Sequence, residues 1–144
     1  MAVSVFDVAE FILKSSGPMS TMKLQKLVYY AQAWSLVWDQ DVLFHDRVEA
    51  WANGPVVPVL FERHQGRYRV GPGQIDGSPK DLNSTQGDTV AAVLGFYGDK
   101  EPQWLSDLTH AEEPWANARQ GIKDGARGGN EITPEAMMNY YSSL

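Results

Sequence analysis

The stretch from residue 21 to residue 58 constrains the fold of this chain more than any other part of its sequence. Its first half repeats apolar residues every three or four positions, which places them on one face of an α-helix: Leu24, Leu27, Val28, Ala31 and Trp34. Lys23, Lys26 and Gln32 fall on the opposite face. The pattern therefore predicts an amphipathic helix whose lysine and glutamine side chains lie in solvent.

The second half of the stretch changes from helical to extended character. Residues 42–51 alternate apolar and polar side chains in places, which predicts one or two short strands or a hairpin. The sequence Trp-Ala-Asn-Gly-Pro at 51–55 predicts a tight turn, because Asn53 and Gly54 tolerate positive φ and Pro55 keeps its neighbour out of helical angles. Pro58 then suits the first turn of a short helix.

Helical periodicity and capping residues recur on both sides of this stretch. Ser4 is placed to cap a first helix, with Asp7 at the spacing of a capping box, and Ser84 or Thr85 to cap a later one. Glycine-rich segments at 66–81 and 121–130 predict loops, the second a mobile connector. We therefore expect a mainly α fold in which residues 1–144 form a single compact domain of about six helices. A small β-hairpin or extended element follows the second helix.

Length, charge and composition exclude several classes of protein. The 144 residues contain no cysteine, which excludes disulfides and thiolate metal sites. No apolar run approaches the roughly 20 residues that cross a bilayer, so we expect a cytoplasmic protein without a membrane partner. The net charge of -6 argues against nucleic acid as a partner, because nonspecific binding depends on Lys and Arg neutralising phosphates.

The sequence offers little support for catalysis or for a bound cofactor. Asp107, His110 and Glu113 are spaced to share one helix face, but no second histidine completes a common metal site. We instead expect His110 to bond a backbone carbonyl or a carboxylate. No nucleophile motif is present. We expect no catalytic residue, no metal and no cofactor.

Two lysines lie in the first turn of the long helix, where the positive end of the helix dipole disfavours cations. One interpretation is that Lys23 and Lys26 face an acidic partner. The other is that they are ordinary solvated lysines. The sequence does not decide between the two.

The chain contains five tryptophans and six tyrosines, many for a small core. Aromatic residues are common anchors of protein interfaces. Helical period assigns Trp34 and Trp104 to the core. The remaining candidates are either core residues or the lining of a groove beside the turn at 53–55: Tyr29, Tyr30, Trp51 and Trp115.

Three segments resemble landmarks of the SocA-like, or Panacea, domain family of bacterial and phage antitoxins. They are MKLQKLVYYAQAW, DRVEAWANGPVVPVLFE and THAEEPW, and they occur in the order that the family shows. The family usually has an aromatic residue before the glycine of the turn, where this chain has Asn53. The landmarks spread over nearly the whole chain.

The resemblance implies an antitoxin of a type II toxin–antitoxin system, which neutralises a cognate toxin encoded by an adjacent gene through direct binding. Small alarmone-synthetase-like enzymes are one class of toxin in such systems, and a hetero-oligomer with the toxin is implied. The residues that we expect to contact this partner are Lys23, Lys26, Tyr29, Tyr30, Trp51, Asn53, Gly54, Pro55 and Trp115.

An alternative function is also consistent with the sequence. Residues 4–38 read as helix, short turn, helix, and Lys23, Gln25 and Lys26 lie where a DNA-reading helix presents side chains. The chain would then be a DNA-binding autoregulator, or a proteolytic adaptor, of a mobile genetic element.

Overall fold

A computed structural model describes all residues from 1 to 144. Seven α-helices and four short strands make up the fold, with a single 3-10 turn at Pro79–Asp81. The helices are α1 (Val5–Ser16), α2 (Thr21–Trp38), α3 (Pro58–His64), α4 (Ser84–Tyr97), α5 (Pro102–His110), α6 (Glu113–Ala118) and α7 (Pro134–Tyr141). The strands are β1 (Met19–Ser20), β2 (Glu49–Trp51), β3 (Gly54–Val56) and β4 (Arg69–Val70). The mainly α fold expected from the sequence is confirmed.

Helix α2 is the central element, and it contacts α1, α4, α5, α7 and the strand β3. Its N-cap is Ser20, whose hydroxyl accepts a hydrogen bond from the amide of Lys23. The prediction of a solvated polar face on α2 is wrong. Lys26 and Gln32 are buried along with the apolar residues, because neighbours surround the helix on nearly every side. No helix of the protein is both long and apolar enough to span a bilayer.

The buried Gln32 shows how α2 accommodates polar side chains in its interior contacts. Its amide oxygen accepts hydrogen bonds from the backbone N–H groups of Leu43 and Phe44, and its amide nitrogen donates to the carbonyl of Phe44. These bonds satisfy backbone N–H and C=O groups of the irregular segment that follows α2. Without Gln32 these groups would be buried without partners. The Gln32 side chain therefore holds in place residues that have no regular secondary structure.

Two small antiparallel strand pairs flank α2. Strand β1 pairs with β4, with Met19 opposite Val70. Strands β2 and β3 form a hairpin after α2, in which Trp51 lies opposite Gly54 and residues 52–53 make the two-residue loop. The prediction of strands over residues 42–51 is wrong in its bounds, because residues 42–48 form no regular strand and the second strand follows the turn. Gly54 has φ of 122°, a backbone conformation that favours glycine, as its sequence context predicted.

Twenty-nine buried residues form one hydrophobic cluster around α2. Trp34 packs against this cluster and is partly buried, but Trp104 is 43% exposed, so its assignment to the core is wrong. In α5 the inward positions are Leu105, Ser106 and Thr109, and Trp104 is turned away from them. Its ring lies 5.1 Å from the ammonium of Lys100.

Capping boxes open two of the helices. Ser4 and Asp7 form the one at α1, as their spacing predicted. At α4 the cap is Asn83 with Gln86, not Ser84 or Thr85. Both Asn and Ser side chains can accept from the first amides of a helix, so local pattern alone does not choose between adjacent residues.

Candidate functional site

A cleft of about 640 Å³ lies between the first turns of α2, the β2–β3 hairpin, helix α3 and the loop that precedes α7. We call it the α2–hairpin cleft. Its lining residues are Thr21, Met22, Gln25, Lys26, Glu49, Trp51, Ala52, Asn53, Val56, Phe61, His64, Arg127, Gly128 and Gly129. The volume falls in the range of pockets that bind small ligands or the side chains of a partner.

Gln25 forms part of the floor of the cleft and joins α2 to the start of α3. Its amide oxygen accepts from the N–H of Val57 at 2.9 Å, and its amide nitrogen donates to the Val57 carbonyl at 3.4 Å. The same nitrogen lies 2.9 Å from Nε2 of His64. Since the amide donates there, the imidazole nitrogen is the acceptor, which requires a neutral ring. Burial also lowers the pKa of His64, which favours the neutral form.

Lys26 lies beside Gln25 and is the most unusual residue of the cleft. Only 1% of its surface is exposed, and its ammonium donates to the carbonyl of Pro55 across 3.3 Å. No carboxylate lies within ion-pair distance of it. Burial lowers the pKa of Lys26 from 10.5 to about 8. The expectation of a lysine on an exposed face is wrong, because the hairpin folds over this turn of α2.

The hairpin glycine makes room for the lysine. A Cβ atom at Gly54 would lie 2.5 Å from Cε of Lys26 and 3.0 Å from Oγ1 of Thr109. The positive φ of Gly54 gives a second reason for glycine at this position. The Gly-Pro turn and the lysine of α2, which lie far apart in the sequence, thus form one structural unit.

The wall of the cleft opposite α2 is aromatic. The rings of Trp51 and Phe61 meet edge to face with centroids 5.0 Å apart, and Phe61 packs in the same way on His64 at 5.3 Å. The indole N–H of Trp51 donates to Glu49 at 2.9 Å, and Arg47 donates to the other oxygen of that carboxylate at 2.9 Å. These contacts fix the orientation of the indole ring.

Trp115 supports the hairpin from behind the cleft. Its indole N–H donates to the carbonyl of Trp51 at 2.8 Å, and its ring stacks on His110 with centroids 4.0 Å apart. The Nε2 atom of His110 is buried without a hydrogen-bond partner, so the prediction that this ring bonds a carbonyl or carboxylate is wrong at that nitrogen. Desolvation lowers the pKa of His110, which favours the neutral imidazole. Asp107 and Glu113 do not gather with it into a metal-binding cluster.

Tyr29 and Tyr30 do not line a groove, in contrast to the expectation from sequence. Both are buried, and their hydroxyls belong to a network centred on Glu112. The carboxylate of Glu112 accepts from Tyr30 at 2.7 Å and from Tyr141 at 2.8 Å, and Tyr29 and Tyr141 share a hydrogen bond of 2.9 Å. Burial raises the pKa of Glu112 and of the tyrosines. The positions are internal because α4, α5 and α7 surround this part of α2.

The other predicted contact residues are brought together to different degrees. Lys26, Trp51 and Asn53 line the cleft. Gly54 and Pro55 are buried beneath it, where they contact Lys26 rather than open space. Lys23 is partly buried and is not part of the lining.

Sequence reasoning misses several residues of the cleft. The position of Gln25 could have indicated the site, since it adjoins Lys26 in the same helical turn. Phe61 and His64 follow the turn on a short helix, but nothing in their spacing points to a site. The segment 127–129 is predicted only as part of a connector, although it closes one side of the cleft.

Comparison with protein-family models gives a match to the antitoxin SocA-like, Panacea domain over residues 24–116. This region contains all three landmark segments almost completely, and it includes the floor, the hairpin and the aromatic wall of the cleft, but not residues 127–129. Searches of curated proteins and of solved structures gave no match to this chain. Because the family model spans more than half of the sequence, the chain belongs to the SocA-like antitoxin family, whose members carry the Panacea domain.

Proposed function

We propose that this protein is the antitoxin of a type II toxin–antitoxin system and that it neutralises its toxin by direct protein–protein binding. The observation that carries the proposal is the match of residues 24–116 to the SocA-like antitoxin domain. In this proposal the protein acts by binding and performs no catalysis. Its partner is a toxin encoded by an adjacent gene, with small alarmone-synthetase-like enzymes as one class to test.

The α2–hairpin cleft is the surface that we propose for the toxin. Its aromatic wall of Trp51 and Phe61 is typical of energetically important interface regions, in which aromatic side chains are enriched. Trp51 is held by hydrogen bonds on two sides, from its ring to Glu49 and from Trp115 to its carbonyl. A ring that is already fixed loses little conformational freedom on binding.

The DNA-binding alternative has less support than toxin binding. It requires the first turns of α2 to present Lys23, Gln25 and Lys26 to a DNA groove. Gln25 and Lys26 are buried, and both are engaged by backbone groups of residues 55–57. The overall charge of -6 also opposes contact with phosphates.

A rescue experiment with a structural control tests the proposal. The adjacent gene is expressed alone and then together with this protein, and growth and co-purification are recorded. We expect toxicity alone, and restored growth with a stoichiometric complex on co-expression. A harmless neighbour, or rescue without a complex, would contradict direct neutralisation.

Matched variants locate the surface. Asn53→Arg places a large side chain at the exposed rim of the cleft, and we expect it to abolish rescue. Asn139→Arg makes the same change on the exposed side of α7, and rescue should persist. If the α7 variant fails while the cleft variant rescues, the toxin binds another face of the protein.

A further inference from the structure

We propose that the α2–hairpin cleft receives an acidic side chain of the partner protein and that Lys26 pairs with its carboxylate. The inference rests on the proposed function, since it takes the partner to be a protein. It adds a chemical specification: the segment of the toxin that enters the cleft carries an aspartate or a glutamate.

The first argument is the incomplete hydrogen bonding of the lysine. An ammonium group has three donors, and Lys26 makes one hydrogen bond, to the Pro55 carbonyl. Its length of 3.3 Å lies beyond the roughly 2.7–3.2 Å of ordinary N–H···O hydrogen bonds. Lys26 therefore has donor capacity to spare at the floor of an open cleft.

The second argument is the absence of a counter-charge. A buried cation without a paired anion is strongly unfavourable, and no acidic side chain lies within ion-pair distance of Lys26. Glu49, the acidic residue in the lining, is already bonded to Trp51 and Arg47. A carboxylate delivered by a partner would supply the missing charge in a site from which the partner excludes water.

The third argument concerns what kind of anion fits. Arg127 lies on the rim of the cleft and adds a second positive charge, whereas His64 accepts a hydrogen bond as a neutral ring. A chain with a net charge of -6 repels an extended polyanion, but a single carboxylate experiences mainly the local field. The cleft is also much larger than one carboxylate, and the rings of Trp51 and Phe61 offer an apolar surface for neighbouring side chains of a peptide.

The Lys26→Met variant tests the proposal, because it keeps an unbranched side chain and removes the charge. Its affinity for the adjacent-gene product is compared with that of the wild type. We expect affinity to fall at least about 30-fold, because the partner carboxylate would be left buried and unpaired. Stability toward urea should not fall, since replacing a buried unpaired charge with an apolar group is neutral or favourable. A loss of affinity without a loss of stability distinguishes a role in recognition from a role in the fold.

Lys14→Met, on the exposed end of α1, is the matched control and should leave affinity unchanged. Substituting each Asp and Glu of the partner by its amide should identify one position whose effect disappears in the Lys26→Met background. The proposal is overturned if Lys26→Met binds as tightly as the wild type, or if no acidic position of the partner is coupled to Lys26.

A second measurement tests the site without any toxin. The titration of Lys26 is followed by NMR at ¹³Cε while N-acetyl-aspartate N-methylamide is added as a blocked acidic residue. We expect the pKa of Lys26 to rise toward that of a free lysine as the carboxylate binds. No movement at saturating probe, or a larger rise with inorganic phosphate at lower concentration, would overturn the assignment to an acidic side chain. Absence of a toxin complex with wild-type protein would instead count against the proposed function.

Discussion

Two buried ionisable residues, Glu112 and Lys26, are satisfied in different ways, although they lie about one helical turn apart along α2. Glu112 is 6% exposed and accepts hydrogen bonds of 2.7 and 2.8 Å from Tyr30 and Tyr141 in a closed part of the core. Lys26 is 1% exposed and makes a single hydrogen bond of 3.3 Å, at the floor of an open cleft. Lys26 belongs to α2, and Glu112 contacts α2 through Tyr30.

We infer that a buried ionisable side chain serves the fold where its hydrogen bonds are complete, and serves recognition where they are not. The partners of Glu112 come from α2 and α7, so its hydrogen bonds hold these helices together. Lys26 contributes little to its surroundings beyond one bond to the hairpin, and its unused donors are available to a ligand. Removing the acceptor side chain of Glu112 should therefore harm the fold, whereas removing the charge of Lys26 should harm binding.

The largest effect is expected for Glu112→Ala. It leaves the hydroxyls of Tyr30 and Tyr141 without their acceptor, at about 1–3 kcal/mol each, and it opens a cavity. The free energy of unfolding measured in urea should fall by about 3–5 kcal/mol. Glu112→Gln keeps an acceptor oxygen and should cost about 1 kcal/mol. Equal losses for the two variants would show that the tyrosine network does not depend on an acceptor at this position.

Gly54→Ala comes next, with an expected loss of about 1–3 kcal/mol, because alanine is strained at a φ of 122°. The added methyl group would also displace the end of Lys26, whose Cε lies 2.5 Å from the position that Cβ would take. Binding of the partner should therefore fall by more than the loss of stability explains. Gly73→Ala, at φ of 87° with no neighbour near its Cβ, is the control for backbone strain alone. If both variants bind the partner equally, Gly54 does not act through Lys26.

The pH dependence of stability should differ in sign for the two charges. Folding lowers the pKa of Lys26 to about 8, so its neutral form is favoured in the native state. The contribution of Lys26 to the free energy of unfolding therefore rises by about 2 kcal/mol between about pH 8 and pH 10. This contribution is lost as the pH falls through about 8. Lys26→Met should lack this rise in urea titrations. Above about pH 10 the buried tyrosines oppose it, because their raised pKa values favour the protonated hydroxyl.

Glu112 provides the opposite slope at lower pH. Its pKa is raised by burial, so the protonated form is favoured on folding. Its contribution is complete below the pKa of an unfolded glutamate and is lost as the pH rises through the folded value. Glu112→Gln should remove this dependence, and an unchanged pH profile would contradict the raised pKa.

The smallest effect is expected for Trp115→Phe, which keeps an aromatic ring beside His110 and removes the indole N–H. The carbonyl of Trp51 then loses a hydrogen bond of 2.8 Å, worth about 1 kcal/mol. Loss of stability measured in urea should be accompanied by a modest loss of partner affinity, since this bond supports the hairpin behind the cleft. A loss of several kcal/mol would indicate that the ring itself, rather than the bond, is essential.

Much of the fold follows from local sequence. The period of α2, the capping box of Ser4 and Asp7, and the turn around Gly54 are each determined by residues within a few positions of one another, and each prediction is confirmed. The hairpin turn is also predictable, because Asn, Gly and Pro restrict the backbone there. The strands on either side of it are predicted too early in the sequence, over residues 42–51.

The site depends on contacts that local pattern does not contain. Lys26 and Gln32 have the spacing of a solvated face, but their partners are backbone groups of residues 43, 44 and 55, which fold back over the helix. A periodicity argument assumes that one face of a helix meets solvent. It fails for a central helix that is covered on nearly all sides, and the residues that break the pattern are those that hold the surrounding chain.

The most direct test of the contrast between the two charges is proton uptake when the partner binds. Calorimetry at about pH 8 in HEPES and in Tris separates the heat of proton transfer from that of binding. With a pKa of about 8, Lys26 is about half protonated in the free protein. A carboxylate that pairs with it would make protonation complete, so the account predicts uptake of about half a proton by the wild type and by Glu112→Gln, and none attributable to this site in Lys26→Met. The same proton uptake in all three proteins would contradict the pairing of Lys26 with a partner carboxylate.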